Sequence, residues 1–125
     1  MERLVVICWL ILAAVHASPA AVLFKPALTQ ALYGVPPTGP TGLLVVHRGA
    51  LFLAVFVVAV FAAFSPDARK AATLVVGISL VGFLTVYMMS GAPQGPIRTI
   101  AVVDALALLP LAYVTWSAWQ AQGPG

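Results

Sequence analysis

The chain has 125 residues, 62% hydrophobic and 7% charged, and six lysines and arginines against three acids give it a net charge of +3. A water-soluble domain carries about 25% charged residues, so a mean hydropathy of +1.08 excludes one and points to an integral membrane protein. The cations are those of ordinary membrane-protein loops and give no nucleic-acid signal. The single cysteine, Cys8, rules out an intrachain disulfide or a cysteine-based metal cluster.

From the N-terminus onward, four segments reach the ~20 apolar residues that a membrane-crossing helix needs: residues 4–24, 43–64, 71–89 and 97–119. The expected fold is all-α, a single membrane domain over residues 1–125 forming a four-helix bundle. The first segment opens "MERLVVICWLILAAVHASPA", with the charged start, apolar core and small residues of a secretory signal. Its apolar run continues through "AAVLF" to spanning length, which favours a retained helix. Next, "PALTQALYG" places Leu28, Ala31 and Leu32 at helical spacing and ends on Gly34. That predicts a short interfacial helix between spans 1 and 2, with "VPPTGPTG" as a stiff turn into the second span.

"SPD" at 65–67 and "GAPQGP" at 91–96 end the second and third spans. Gly77 and Gly82 in the third permit close helix approach, at a spacing that is not GxxxG and reads as ordinary packing, and Ser79 can donate between helices. Pro110 in "LALLPLAY" predicts a kink in the fourth span that frees the Leu106 carbonyl. Four spans put both termini and the 65–70 turn on one side, with Arg3, Arg69 and Lys70, and Lys25 and Arg98 on the other. The positive-inside bias then places both termini in the cytoplasm of a bacterial inner membrane, with Trp116 and Trp119 as an aromatic anchor on that side.

Helical rise converts position into depth: His16 lies about 12 Å below the opposite face, His47 and Arg48 about 6–8 Å and Asp104 about 10 Å. Tyr87 and Ser90 close the third span on the same side. All internal ionisable side chains therefore share one layer. Ionised groups in hydrocarbon are costly and normally face inward and pair, so the expected ion pair is Arg48 with Asp104. Two readings of it stand: a clamp between the second and fourth spans, or the charged floor of a site for an anionic or proton-carrying ligand. Arg48 is also shallow enough to snorkel to the headgroups. His47 points about 100° away from Arg48 and can bond a backbone carbonyl or a loop. His16 can bond across to a neighbouring helix, line a ligand cavity or, with His47, ligate a haem.

The segments "LYG" at 32–34, "HRGALF" at 47–52, "AAFSP" at 62–66, "GISLVGFL" at 77–84 and "RTIAVVDALALL" at 98–109 resemble a family of small four-span bacterial inner-membrane proteins. Members often carry the label phosphopantetheine adenylyltransferase. The resemblance covers residues 28–110 and includes Tyr33, Gly34, His47, Arg48, Phe52, Arg98 and Asp104, with Val46 where the family often has a second arginine. It implies the four-span fold and highlights His47, Arg48 and Asp104. It does not imply nucleotidyl transfer, which needs an α/β nucleotide-binding domain with a phosphate-cradling loop and an HxGH-type motif, none of which the sequence contains. At a coarser level the chain is also similar to DoxX-like four-helix membrane proteins.

Three function classes follow. The first is a binding or transport module whose polar layer, with His16, His47, Arg48, Tyr87 and Asp104 as candidates, takes a small ligand or lipid headgroup. Proton-coupled export of the small multidrug type needs a carboxylate in the first span, and residues 4–24 have none. The second is an accessory or redox subunit of a larger membrane complex, with haem or quinone as cofactor; no motif demands one. The third is a structural or assembly protein. The expected partners are the lipid bilayer and either further copies of the chain in a homo-oligomer or the other subunits of a membrane complex. Enzymatic chemistry comes last, because no nucleophile–base pair or metal-ligand motif is present.

Overall fold

The computed structural model describes residues 1–120. It consists of α1 (Glu2–Ala21), α2 (Leu28–Tyr33), α3 (Gly39–Phe64), a single 3-10 turn at Pro66–Ala68, α4 (Arg69–Met89) and α5 (Pro96–Gln120), with no strand among the described residues. The four long helices are each long and apolar enough to cross a membrane.

Boundaries move where turn chemistry overrides hydropathy. α3 begins at Gly39, inside the stretch expected to be a stiff turn, because Pro40 falls in the first helical turn. A missing N–H costs nothing there, and proline's fixed φ is already helical. α1 ends at Ala21, and the chain leaves it through backbone bonds from Leu23 to Ala20 and from Phe24 to Ala21. α2 forms where expected. Gly34 closes it at φ 69°, and the Gly34 and Val35 N–H groups bond back to the Gln30 and Thr29 carbonyls, a left-handed cap that glycine adopts without strain. Thr29 adds a 2.6 Å bond from its hydroxyl to the Val35 carbonyl. α5 stays helical through Pro110.

The long helices close a ring in the order α1, α3, α4, α5, each packed on the next, and α2 folds over the end of α3 and α5. Trp9, Leu12, Val76, Leu80, Ala59 and Ala62 fill the interior and are essentially inaccessible. The small residues are on α3, which lets it approach α1. The tightest approach is at Gly49, where a Cβ would stand 2.9 Å from the Leu23 nitrogen and 3.3 Å from the Pro19 carbonyl oxygen. Gly77 and Gly82 play no such part: a Cβ on either would meet nothing within 4 Å. The close helix approach falls at Gly49 instead.

Two polar links join α1 and α4 across the diagonal of the ring. At one end Arg69 forms a bidentate pair with Glu2, at 2.9 and 2.8 Å, and donates to the carbonyls of Ala62 and Ala63 at 2.8 and 2.9 Å. It thereby satisfies two of the carbonyls that the end of α3 leaves open. At the same end, Trp119 donates to the Thr73 hydroxyl at 3.1 Å and Lys70 stands 4.7 Å from its ring centre, tying α5 to the start of α4. The second link is His16 to Ser79.

The outside of the bundle is apolar all round. Ile78 is 74% exposed, Leu109 73% and Leu43 68%, a distribution opposite to that of a water-soluble domain, where large apolar patches are small and few.

Candidate functional site

His16 projects from α1 into the ring and is 2% exposed. Its Nδ1 lies 2.8 Å from the Leu12 carbonyl oxygen and its Nε2 lies 2.9 Å from the Ser79 hydroxyl. A carbonyl only accepts, so Nδ1 carries the proton; in the neutral ring Nε2 then accepts from Ser79. Both nitrogens are used, and of the three roles open to His16 the helix-to-helix bond is the one observed. His47 is exposed on the outside of α3 and does not join it. The two histidines named for haem are thus one fully hydrogen-bonded ring in the interior and one outward-facing ring. Among the described residues no group of three or more histidine, cysteine or acidic side chains gathers at one point.

Arg48 lies one helical step further on, half-buried. Its guanidinium carbon is 4.6 Å from the ring centre of Phe52, 5.4 Å from Phe83 and 5.5 Å from Tyr33, within cation–π range of all three. Phe52 follows Arg48 by four residues on α3, the spacing that brings helical side chains together; Phe83 comes from α4 and Tyr33 from α2. Phe52 also lies beside His16, with ring centres 5.7 Å apart. His16 and Arg48 therefore share one aromatic wall.

The expected Arg48–Asp104 salt bridge does not form. Among the described residues the only salt bridge is Glu2–Arg69. Asp104 is 8% exposed on the inner face of α5 and makes no salt bridge with Arg48. The guanidinium instead packs among three rings, one each from α2, α3 and α4. Tyr33 stands within reach of both charges, and burial pushes its phenol above the ordinary tyrosine range. No protein group accepts a hydrogen bond from Arg48 or donates one to Asp104 among the described residues. Tyr87 is committed elsewhere: its hydroxyl donates to the Pro93 carbonyl at 2.8 Å and its ring stacks on Phe83 at 6.1 Å, closing the α4–α5 connection.

Beside Arg48 runs a groove of about 620 Å³ between α3 and α4, open to the outside of the bundle. Arg48, Phe83, Val86 and Ile97 stand at its end nearer α2, Val55 and Val75 at the other, with Ser79 and Gly82 between them along α4. Its size is within the 300–1,000 Å³ range of small-molecule sites. Sequence reasoning found His16, Arg48 and Asp104 but missed the aromatic box. Phe52 was legible as the i+4 neighbour of Arg48. Phe83 and Tyr33 were not, since their positions depend on how α4 and α2 dock.

The fold and site together define an all-helical protein of four long apolar helices, with a polar cluster enclosed at one end and a groove beside it. No protein-family model, curated protein or solved structure matches the chain.

Proposed function

We propose that the chain is a four-span protein of the bacterial inner membrane, both termini cytoplasmic, that binds a small ligand or lipid headgroup at the Arg48 cluster. The apolar exterior supports insertion, because side chains such as Ile78 and Leu109 are exposed on every side and only a hydrocarbon solvent satisfies such a surface. The likeness of "HRGALF" and "RTIAVVDALALL" to small inner-membrane proteins is in keeping with it.

One observation carries the binding reading: among the described residues, neither a carboxylate within salt-bridge range nor any hydrogen-bond acceptor meets the permanent cation of Arg48. A guanidinium presents five N–H donors and cannot shed its charge, and donors that face hydrocarbon without a partner are expensive. Polar links between helices are supplied without Arg48, since Glu2–Arg69 and His16–Ser79 tie α1 to α4. Arg48 is thus left available to an anion. Native mass spectrometry of protein gently extracted from its own membrane tests this. The wild type retains a non-protein mass and Arg48→Gln loses it; a bare wild type, or the same mass on both, refutes it.

A further inference from the structure

We infer that the α3–α4 groove holds one acyl chain of an anionic phospholipid, drawn from the surrounding bilayer, with its phosphate on the Arg48 guanidinium. This rests on the binding reading above and narrows it to a ligand class and a place.

The groove is polarised along its length. α3 and α4 run antiparallel, so residue number converts to depth in opposite senses on its two walls. Arg48 on α3 and Val86 on α4 lie at the shallow end, and Val55 and Val75 at the deep end. From Arg48 to Val55 is about 10 Å of helix, and from Val86 to Val75 about 16 Å. The one charged residue of the lining therefore stands at the headgroup end, and below it the walls are Leu, Ile, Val and Phe, interrupted only by Ser79 and Gly82. The Ser79 hydroxyl is already spent on His16, so it makes no polar demand on an occupant. A cation at the shallow end and a dry trough beneath it are complementary to an anionic amphiphile inserted head-first at the membrane surface. They do not suit a small soluble anion, which would leave the trough unfilled, or an uncharged lipid, which would leave the guanidinium unanswered.

The surrounding groups fit a phosphate. Phe52, Phe83 and Tyr33 pack about the guanidinium and fix where it points, and a planar guanidinium binds phosphate in bidentate fashion. Asp104, the nearest acid in the interior, makes no contact with Arg48 and so does not occupy its donors. The groove opens sideways to the outside of the bundle, so a bilayer lipid reaches it without crossing the protein.

Gly82 gives a clean handle. It lines the groove, and a Cβ there would meet nothing within 4 Å, so a larger side chain starts in open space at the groove and not against the neighbouring helix. Gly77 offers equally open space outside the groove lining and serves as the matched control.

The test uses the full chain in nanodiscs of phosphatidylcholine and phosphatidylglycerol in equal amounts, with native mass spectrometry reading the lipids that stay on the released protein. The wild type retains one phosphatidylglycerol per chain in preference to phosphatidylcholine by about tenfold, as a charge-assisted contact implies. Gly82→Leu and Arg48→Gln each abolish that preference, Arg48→Lys keeps most of it, and Gly77→Leu is unchanged. Equal retention of the two lipids, displacement of phosphatidylglycerol by millimolar inorganic phosphate, or lipid-free dimers seated through this face would overturn the inference. If Arg48→Gln loses the lipid while Gly82→Leu keeps it, the groove assignment fails and the Arg48 site survives. If neither variant changes retention, both fail.

Discussion

Replacing Arg69 by alanine tests what holds the bundle closed at the end of α1 and α4. Arg69 is 7% exposed and makes four hydrogen bonds, two to the terminal carbonyls of α3 and two to Glu2. Hydrogen bonds from a charged donor are worth about 1.5–3 kcal/mol each. The two to the Ala62 and Ala63 carbonyls are enclosed and return those carbonyls to an unsatisfied state when lost, so Arg69→Ala is expected to cost about 3–5 kcal/mol. The Glu2 side chain is 66% exposed, where solvent screens an ion pair, so Glu2→Gln should cost far less. Arg69→Lys keeps the charge but not the fork and should fall between. Reversible unfolding in sodium dodecyl sulfate, followed by tryptophan fluorescence, reads all three. A loss within about 1 kcal/mol for Arg69→Ala, or a Glu2→Gln loss as large as that of Arg69→Ala, would refute the reasoning.

Two further substitutions probe the same interior by the same assay. Ser79→Ala removes the hydroxyl from His16 Nε2 and leaves a buried ring nitrogen without a partner, at a cost of about 1–3 kcal/mol; no change would mean that the His16–Ser79 link is idle. Gly49→Ala forces a methyl to 2.9 Å from the Leu23 nitrogen and should cost about 1–3 kcal/mol through overpacking. Gly77→Ala should instead gain up to about 1 kcal/mol from helix propensity, and equal effects at the two glycines would contradict the packing described.

Hydropathy made the four long helices legible, because a 20-residue apolar run has few alternatives, and the Gly34 cap was legible because left-handed backbone favours glycine so strongly. The layer holding His16, Arg48 and Asp104 followed from span counting alone, since antiparallel helices fix relative depth. What depth could not supply was azimuth. Arg48 and Asp104 share a level but have different neighbours, and the rings of Phe83 and Tyr33 reach the guanidinium only through the docking of α4 and α2. The same limit hid Gly49: its role depends on α1 ending against α3 at Pro19 and Leu23, not on any spacing of small residues. Arg69 read as one more loop cation because nothing in "SPDARK" reveals that its side chain turns back onto the end of α3.

The central claim is that Arg48 answers to a lipid phosphate rather than to a protein carboxylate. Dipolar coupling between arginine side-chain nitrogen-15 and lipid phosphorus-31, measured by solid-state NMR on the full chain in phosphatidylglycerol bilayers, reads that contact directly. The account predicts a guanidinium signal coupled to phosphorus at hydrogen-bond range that disappears in Arg48→Gln. An Arg48 signal without phosphorus coupling, or one coupled to the carboxylate carbon of Asp104, would contradict it.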